Sequence, residues 1–156
     1  MEEEISIFPE RQVVYATFWQ RFAAGFIDLL VLVVPHYIIY GLIGGKNFFI
    51  ELIHNEYYFS SFLGQFLCTV VYWLYQSLME SGAQQATIGQ QALGIKVTGL
   101  YGGRISFLQA TARHFGEYVS TLILCIGYFM MLWDDRNQML HDKMAGALIV
   151  KKNPGI

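Results

Sequence analysis

One run in this chain constrains the fold more than any other. Between Phe22 and Ile43 the only formally charged side chain is Asp28, and Arg21 stands at the mouth of the run. At 1.5 Å per residue a helix over that stretch is about 33 Å long, enough to cross a ~30 Å hydrocarbon core. A carboxylate at such depth costs roughly 2.5–3.5 kcal/mol on insertion scales, so Asp28 must face protein or a polar cavity rather than lipid. Arg21 and Asp28 share one helical face, and Ala24 and Gly25 between them are small enough for another helix to approach closely. Pro35 withdraws a helical hydrogen bond and predicts a kink near Val31. His36 follows it, either as a proton-relay member or as a ring bonded to a loosened carbonyl.

Composition extends that picture to the whole chain. A sequence of 156 residues is a single domain by length, and 54% hydrophobic content with 14% charge does not suit a soluble one. A net charge of −2, with no basic cluster interleaved with aromatics, gives no footing for nucleic acid. Cys68 and Cys125 lie in apolar runs, where they read as small hydrophobes rather than a disulfide or a metal pair. No P-loop, dinucleotide fingerprint, HExxH pattern or nucleophile–base pair is present, so neither an enzyme nor a cofactor or metal is expected.

Residues 1–17 form a polar lead-in without the cationic start of a signal peptide, followed by one membrane domain over 18–152. Thr17 and Gln20 are spaced as a capping box, and Phe18 and Trp19 as interface anchors. After the first span, Gly44-Gly45 and the charged loop around Lys46 lead to a second span, Tyr58 to Met79. There Ser61, Gln65, Thr69, Tyr72 and Gln76, with Glu80 at the end, form a polar stripe within about a 100° sector. Such a stripe either ties helices together or lines a polar cavity; Trp73 and Tyr75 fall off it, towards lipid. Beyond Glu80 the chain leaves the bilayer. Thr87 and Gln90 cap a short helix ending at Gly94, and Ile95–Thr98 with Arg104–Phe107 read as a hairpin about Gly102-Gly103. Ser106 and Gln109 cap a further helical segment towards Trp133, with Gln109, Arg113, Glu117 and Ser120 on one face and Arg113 and Glu117 at pairing distance. Its apolar remainder, Tyr118 to Trp133, spans only ~24 Å, so it crosses marginally or breaks near Gly127 and re-enters. Ala147–Val150 reads as a strand. The expected fold is a mainly α membrane protein: two to four transmembrane or re-entrant helices, a small cytoplasmic β-hairpin between helices, and a short C-terminal strand.

Four segments taken together carry a resemblance. Arg21-Phe-Ala-Ala-Gly-Phe-Ile-Asp28, Thr87-Ile-Gly89-Gln-Gln-Ala-Leu-Gly94-Ile-Lys96-Val, Arg113, and Leu140-His-Asp142-Lys-Met-Ala-Gly146 resemble, in order and spacing, the RDD family of small membrane proteins. The similarity covers roughly residues 16–152. The family is named for one arginine and two aspartates, which match Arg21, Asp28 and Asp142, with Asp135 the lesser candidate for the third. Gln90 departs from the basic residue many relatives carry after the glycine. The resemblance implies a polytopic membrane protein. Some members have been proposed as sodium–proton antiporters, and others act as accessories to membrane protein-quality machinery.

Two function classes follow. In the first, Asp28, Glu117 and His36 bind a proton or a monovalent cation, and the chain acts as an oligomer, since two or three spans do not enclose a pathway. In the second, Arg21, Asp28, Asp142 and Arg113 form a structural charge network, and the protein is a scaffold for other membrane proteins. Lys96, Arg104 and Arg113 against the single Lys46 place the N-terminus in the cytoplasm, in a plasma (inner) membrane.

Overall fold

The computed structural model describes residues 13–42, 59–123 and 126–152. The loop around Lys46 and the position of Cys125 lie outside the described residues. The order is α1 (Phe18–Leu42), α2 (Phe59–Ser81), α3 (Ile88–Ala92), β1 (Ile95–Gly99), α4 (Phe107–Leu122), α5 (Ile126–Phe129) running into a 3-10 turn (Met130–Trp133), α6 (Leu140–Ala145) and β2 (Ala147–Lys151). The fold is mostly helical with one small sheet.

The first helix begins where its capping box predicts. The Gln20 amide N–H donates to the Thr17 hydroxyl at 3.4 Å, and the Thr17 N–H donates back to the Gln20 side chain at 3.1 Å. Arg21, Ala24, Asp28 and Leu32 are buried along one stripe, while Phe22, Phe26, Leu29, Leu30, Val33 and Val34 are exposed. Only 17% of its apolar window is buried within the protein. Such a helix has the length and the exposed apolar face of a candidate membrane span, and it is keyed to its own chain along one edge. Among the described residues α1 is the one unbroken helix whose length and composition suit a membrane crossing. The segment from α4 to Trp133 would add a second only as a broken span, because it folds back through 113°. The bend falls after Leu122, ahead of the break expected near Gly127. A Cβ on Gly127 would lie 2.7 Å from the Ser120 side chain, so α5 returns tightly against α4.

The hairpin expected from residues 95–107 does not form. Two turn bonds close the glycine turn, from the Gly99 N–H to the Gly103 carbonyl at 2.8 Å and from the Gly102 N–H to the Gly99 carbonyl at 3.0 Å. Ser106 then caps α4, with the Gln109 N–H donating to its hydroxyl at 3.2 Å, so too little chain remains for a second strand. β1 pairs instead with the C-terminal strand, antiparallel, with Ile95 opposite Lys151 and Gly99 opposite Ala147. The other edge of β2 receives the N-terminal segment through a bridge between Tyr15 and Val150, and the Ala16 N–H donates to the Ile149 carbonyl at 2.9 Å. β2 is thus central. Both ends of the domain and its middle meet there, over a core that includes Ala16, Ile95, Val97, Ala110 and Ile149.

Small residues set the helix crossings. A Cβ on Gly89 would sit 2.1 Å from the Ala24 carbonyl oxygen, so α3 touches the backbone of α1. Ala24 is the small residue that another helix approaches; Gly25 is exposed, and no atom lies within 4 Å of the point a Cβ would occupy there. Likewise a Cβ on Gly116 would meet His141 Cβ at 2.9 Å, where α4 crosses α6.

Candidate functional site

These crossings gather the polar side chains at one end of the helices: the first three turns of α1, the last turns of α2, and α3, α4 and α6. α4 supplies the centre. Arg113, only 4% exposed, grips Glu80 with two nitrogens, Nη2 to Oε1 at 2.6 Å and Nε to Oε2 at 3.0 Å. This forked geometry is the strongest form of guanidinium–carboxylate pairing. Arg113 Nη1 also reaches Glu117 at 3.5 Å and Asp142 at 3.4 Å. Gln90 donates to Glu80 Oε1 at 2.8 Å and completes the partners of that fully buried acid.

Asp142 joins this centre to the start of α1. Its carboxylate is fully buried, forms an ion pair with Arg21, and accepts the Met139 N–H at 3.1 Å. Arg21 also donates to the Asn137 carbonyl at 2.6 Å, so the first turn of α1 is fastened to the loop before α6. Burial pushes the Asp142 carboxyl upward, but the Arg21 and Arg113 guanidiniums outweigh it and hold the group below the usual carboxylate range. The neighbouring His141 is 2% exposed, and burial lowers its pKa to about 4, so it is neutral at physiological pH. Asp135 is exposed, which leaves Asp142 as the aspartate that works with Arg21.

Asp28 is differently occupied. It pairs with no Lys or Arg among the described residues. Its Oδ1 accepts the Tyr75 hydroxyl at 2.6 Å and the Gly89 N–H at 2.8 Å, and its Oδ2 accepts the Thr87 hydroxyl at 2.6 Å. It is the latch that holds α3 against α1. The charge network expected over Arg21, Asp28, Asp142 and Arg113 therefore divides: three of the four are ion-paired together, and Asp28 is held by neutral donors.

The expected polar stripe on α2 divides too. Thr69 bonds back to the Gln65 carbonyl at 2.9 Å and both residues are exposed, while the Ser61 side chain lies outside the described residues. Tyr72, Gln76 and Glu80 point inward. Gln76 relays between helices: its amide donates to Glu117 Oε1 at 2.7 Å, and its oxygen lies 2.7 Å from His114 Nδ1. His36 bonds to the Leu32 carbonyl of its own helix at 2.7 Å and takes no place in the cluster. Tyr75, expected to meet lipid, instead bonds Asp28, while Trp73 donates to Thr111 at 3.2 Å. Because α2 is sandwiched between α1 and α4, it has two inward faces, and a single-stripe reading finds only one.

Between α1, α2 and α4 these residues line a half-open cavity of about 640 Å³. Arg21, Asp28, Gln76, Arg113 and Glu117 contribute its polar lining, and Phe22, Tyr72 and Phe129 part of its aromatic wall. Each guanidinium already has a matching acid, Glu80 for Arg113 and Asp142 for Arg21. Among the described residues Asp28 is left as a lining carboxylate without a cation, and Glu117 has only a share of Arg113, at 3.5 Å.

A long apolar helix suited to a membrane crossing, keyed by one charged edge to a compact polar cluster, fits one class: a membrane protein organised around a buried arginine–aspartate network. The profile of the RDD family matches residues 15–146, and the chain belongs to that family. It is similar to the uncharacterized protein YxaI of Bacillus subtilis, with 32% identity over 150 residues that cover 88% of this chain and 97% of that protein. The uncharacterized protein YckC of Bacillus subtilis is 27% identical over 148 residues, 90% of this chain and 87% of that protein. A proline-rich antigen of Mycobacterium leprae is 30% identical over 79 residues, half of this chain and 32% of the antigen. No solved structure matches the chain.

Proposed function

We propose that this RDD protein exchanges a monovalent cation for a proton at Glu117, working as an oligomer in the plasma (inner) membrane with its N-terminus in the cytoplasm. The surplus of lining carboxylate over unpaired guanidinium carries this reading. A carboxylate partly withdrawn from water favours a counter-charge, and a proton or a small cation can supply it in turn. Glu117 suits the task better than Asp28. It stands at the weakest of the Arg113 contacts, 3.5 Å, and its side chain is 20% exposed, whereas Asp28 is occupied by three donors. Two or three spans do not enclose a pathway, which calls for more than one copy. Purified protein in liposomes should show sodium-dependent proton flux, and Glu117→Gln should abolish it while the protein stays folded. Unchanged flux through well-folded Glu117→Gln protein would remove Glu117 from the site.

A second reading has its own observation. The paired Arg21, Arg113, Glu80 and Asp142 lock helix ends to the C-terminal segment, as a scaffold for other membrane proteins requires. Absence of cation-linked flux in the wild-type protein would leave that reading standing.

A further inference from the structure

The cavity is far larger than a bare cation needs. At about 640 Å³ it falls among small-molecule sites, typically ~300–1,000 Å³, rather than ion sites. We propose that it takes a small organic ammonium ion bearing an oxygen acceptor; this rests on Glu117 being the cation-binding group and names the class of its substrate.

Three features of the lining support that chemistry. Glu117, oriented by the amide of Gln76, offers a carboxylate to the positive head. Tyr72, Phe22 and Phe129 line the same space, and aromatic faces attract ammonium groups through their quadrupoles, most effectively where water is scarce. The third feature selects the rest of the ligand. Arg21 has a side chain only 6% exposed and lines the cavity, yet its Nε–H meets no acceptor among the described residues. Its other two nitrogens are occupied by Asp142 and Asn137. That N–H is closed off from solvent, so a ligand oxygen in the cavity reaches it only with a small turn of the guanidinium, which would satisfy an otherwise orphaned donor. Repulsion from the arginines is muted, since Asp142 and Glu80 neutralise them from behind. Phe22, Phe26 and Leu29 line the cavity while exposed on the lipid-facing side of α1, so apolar substituents on the ligand meet an apolar rim.

Isothermal titration of the full chain in detergent tests this with choline and ethanolamine as probes. The controls are tetramethylammonium, which lacks the oxygen, and the uncharged carbon isostere of choline, in which tert-butyl replaces trimethylammonium. Choline or ethanolamine should bind at one site, with the isostere about tenfold weaker or worse and tetramethylammonium about threefold weaker than choline. Glu117→Gln, close in shape to the original side chain, should weaken choline by about tenfold, and Tyr72→Leu by about threefold. Equal binding of choline and its neutral isostere overturns the proposal, as does full affinity in a folded Glu117→Gln or Tyr72→Leu protein. Absence of ammonium binding with sodium-dependent proton flux intact overturns the substrate class alone. Absence of both removes the cation reading as well.

Discussion

Asp142→Asn should be more damaging than removal of its partner Arg21. Asp142 is fully buried and accepts from Arg21, from Arg113 at 3.4 Å and from the Met139 N–H at 3.1 Å. Replacing one carboxylate oxygen by an amide NH₂ turns a donor towards those donors and leaves two buried guanidiniums short of charge. Breaking a buried pair from one side typically costs ~3–5 kcal/mol, and the second arginine places Asp142→Asn at the upper end of that range. Arg21→Gln leaves Asp142 with Arg113 and Met139, so about 2–3 kcal/mol is expected, nearer the cost of one unsatisfied charged hydrogen bond. In the double variant the second change removes a partner that is already lost. Its cost should fall below the sum of the singles by about 1 kcal/mol or more, the size of coupling seen between contacting residues. The assay is thermal or denaturant unfolding of purified protein in one detergent at pH 7.5, for the wild type, both singles and the double. Additivity within ~0.5 kcal/mol would refute the shared network, and so would an Asp142→Asn protein as stable as the wild type.

Three further outcomes are expected. Gly89→Ala should push α3 off α1, because its Cβ would lie 2.1 Å from the Ala24 carbonyl oxygen; overpacking costs of about 1–3 kcal/mol should appear as a lower melting temperature, whereas Gly25→Ala should change little. The pKa of His141 is lowered from 6.5 to about 4 on folding, so the unfolded chain binds the extra proton: the associated stability is complete above pH 6.5 and declines by ~3 kcal/mol as pH falls to 4, and His141→Gln should make the unfolding profile shallower over that window by about that amount. A single cysteine at position 46, in a chain without Cys68 and Cys125, should react with an impermeant reagent in intact cells, and one at position 96 should be protected; the reverse pattern inverts the orientation.

The local features were legible in the sequence. The apolar run of α1, the inward stripe of Arg21, Ala24 and Asp28, the caps at Thr87 and Ser106, and the Arg113–Glu117 pair all follow from helical periodicity and from spacings of three, four and seven residues. These are properties of one helix, and helical geometry alone decides them. What the tertiary structure decided is which faces meet. Glu80 reads as the last residue of a stripe until the crossing of α2 and α4 sets it against Arg113. Tyr75 looks lipid-facing until α3 and α1 close on the second face of α2 and give its hydroxyl Asp28. β1 has a plausible partner a few residues away, yet it pairs with β2, roughly fifty residues on, because α4 starts too soon for a hairpin and because β2 carries an apolar run with its own surface to bury. Asp142 shares the point. The resemblance groups it with Arg21 and Arg113, but the contacts themselves exist only when docking of α6 brings two arginines from distant helices to it, and pairings across such distances are set by how whole helices pack rather than by the residues on either side.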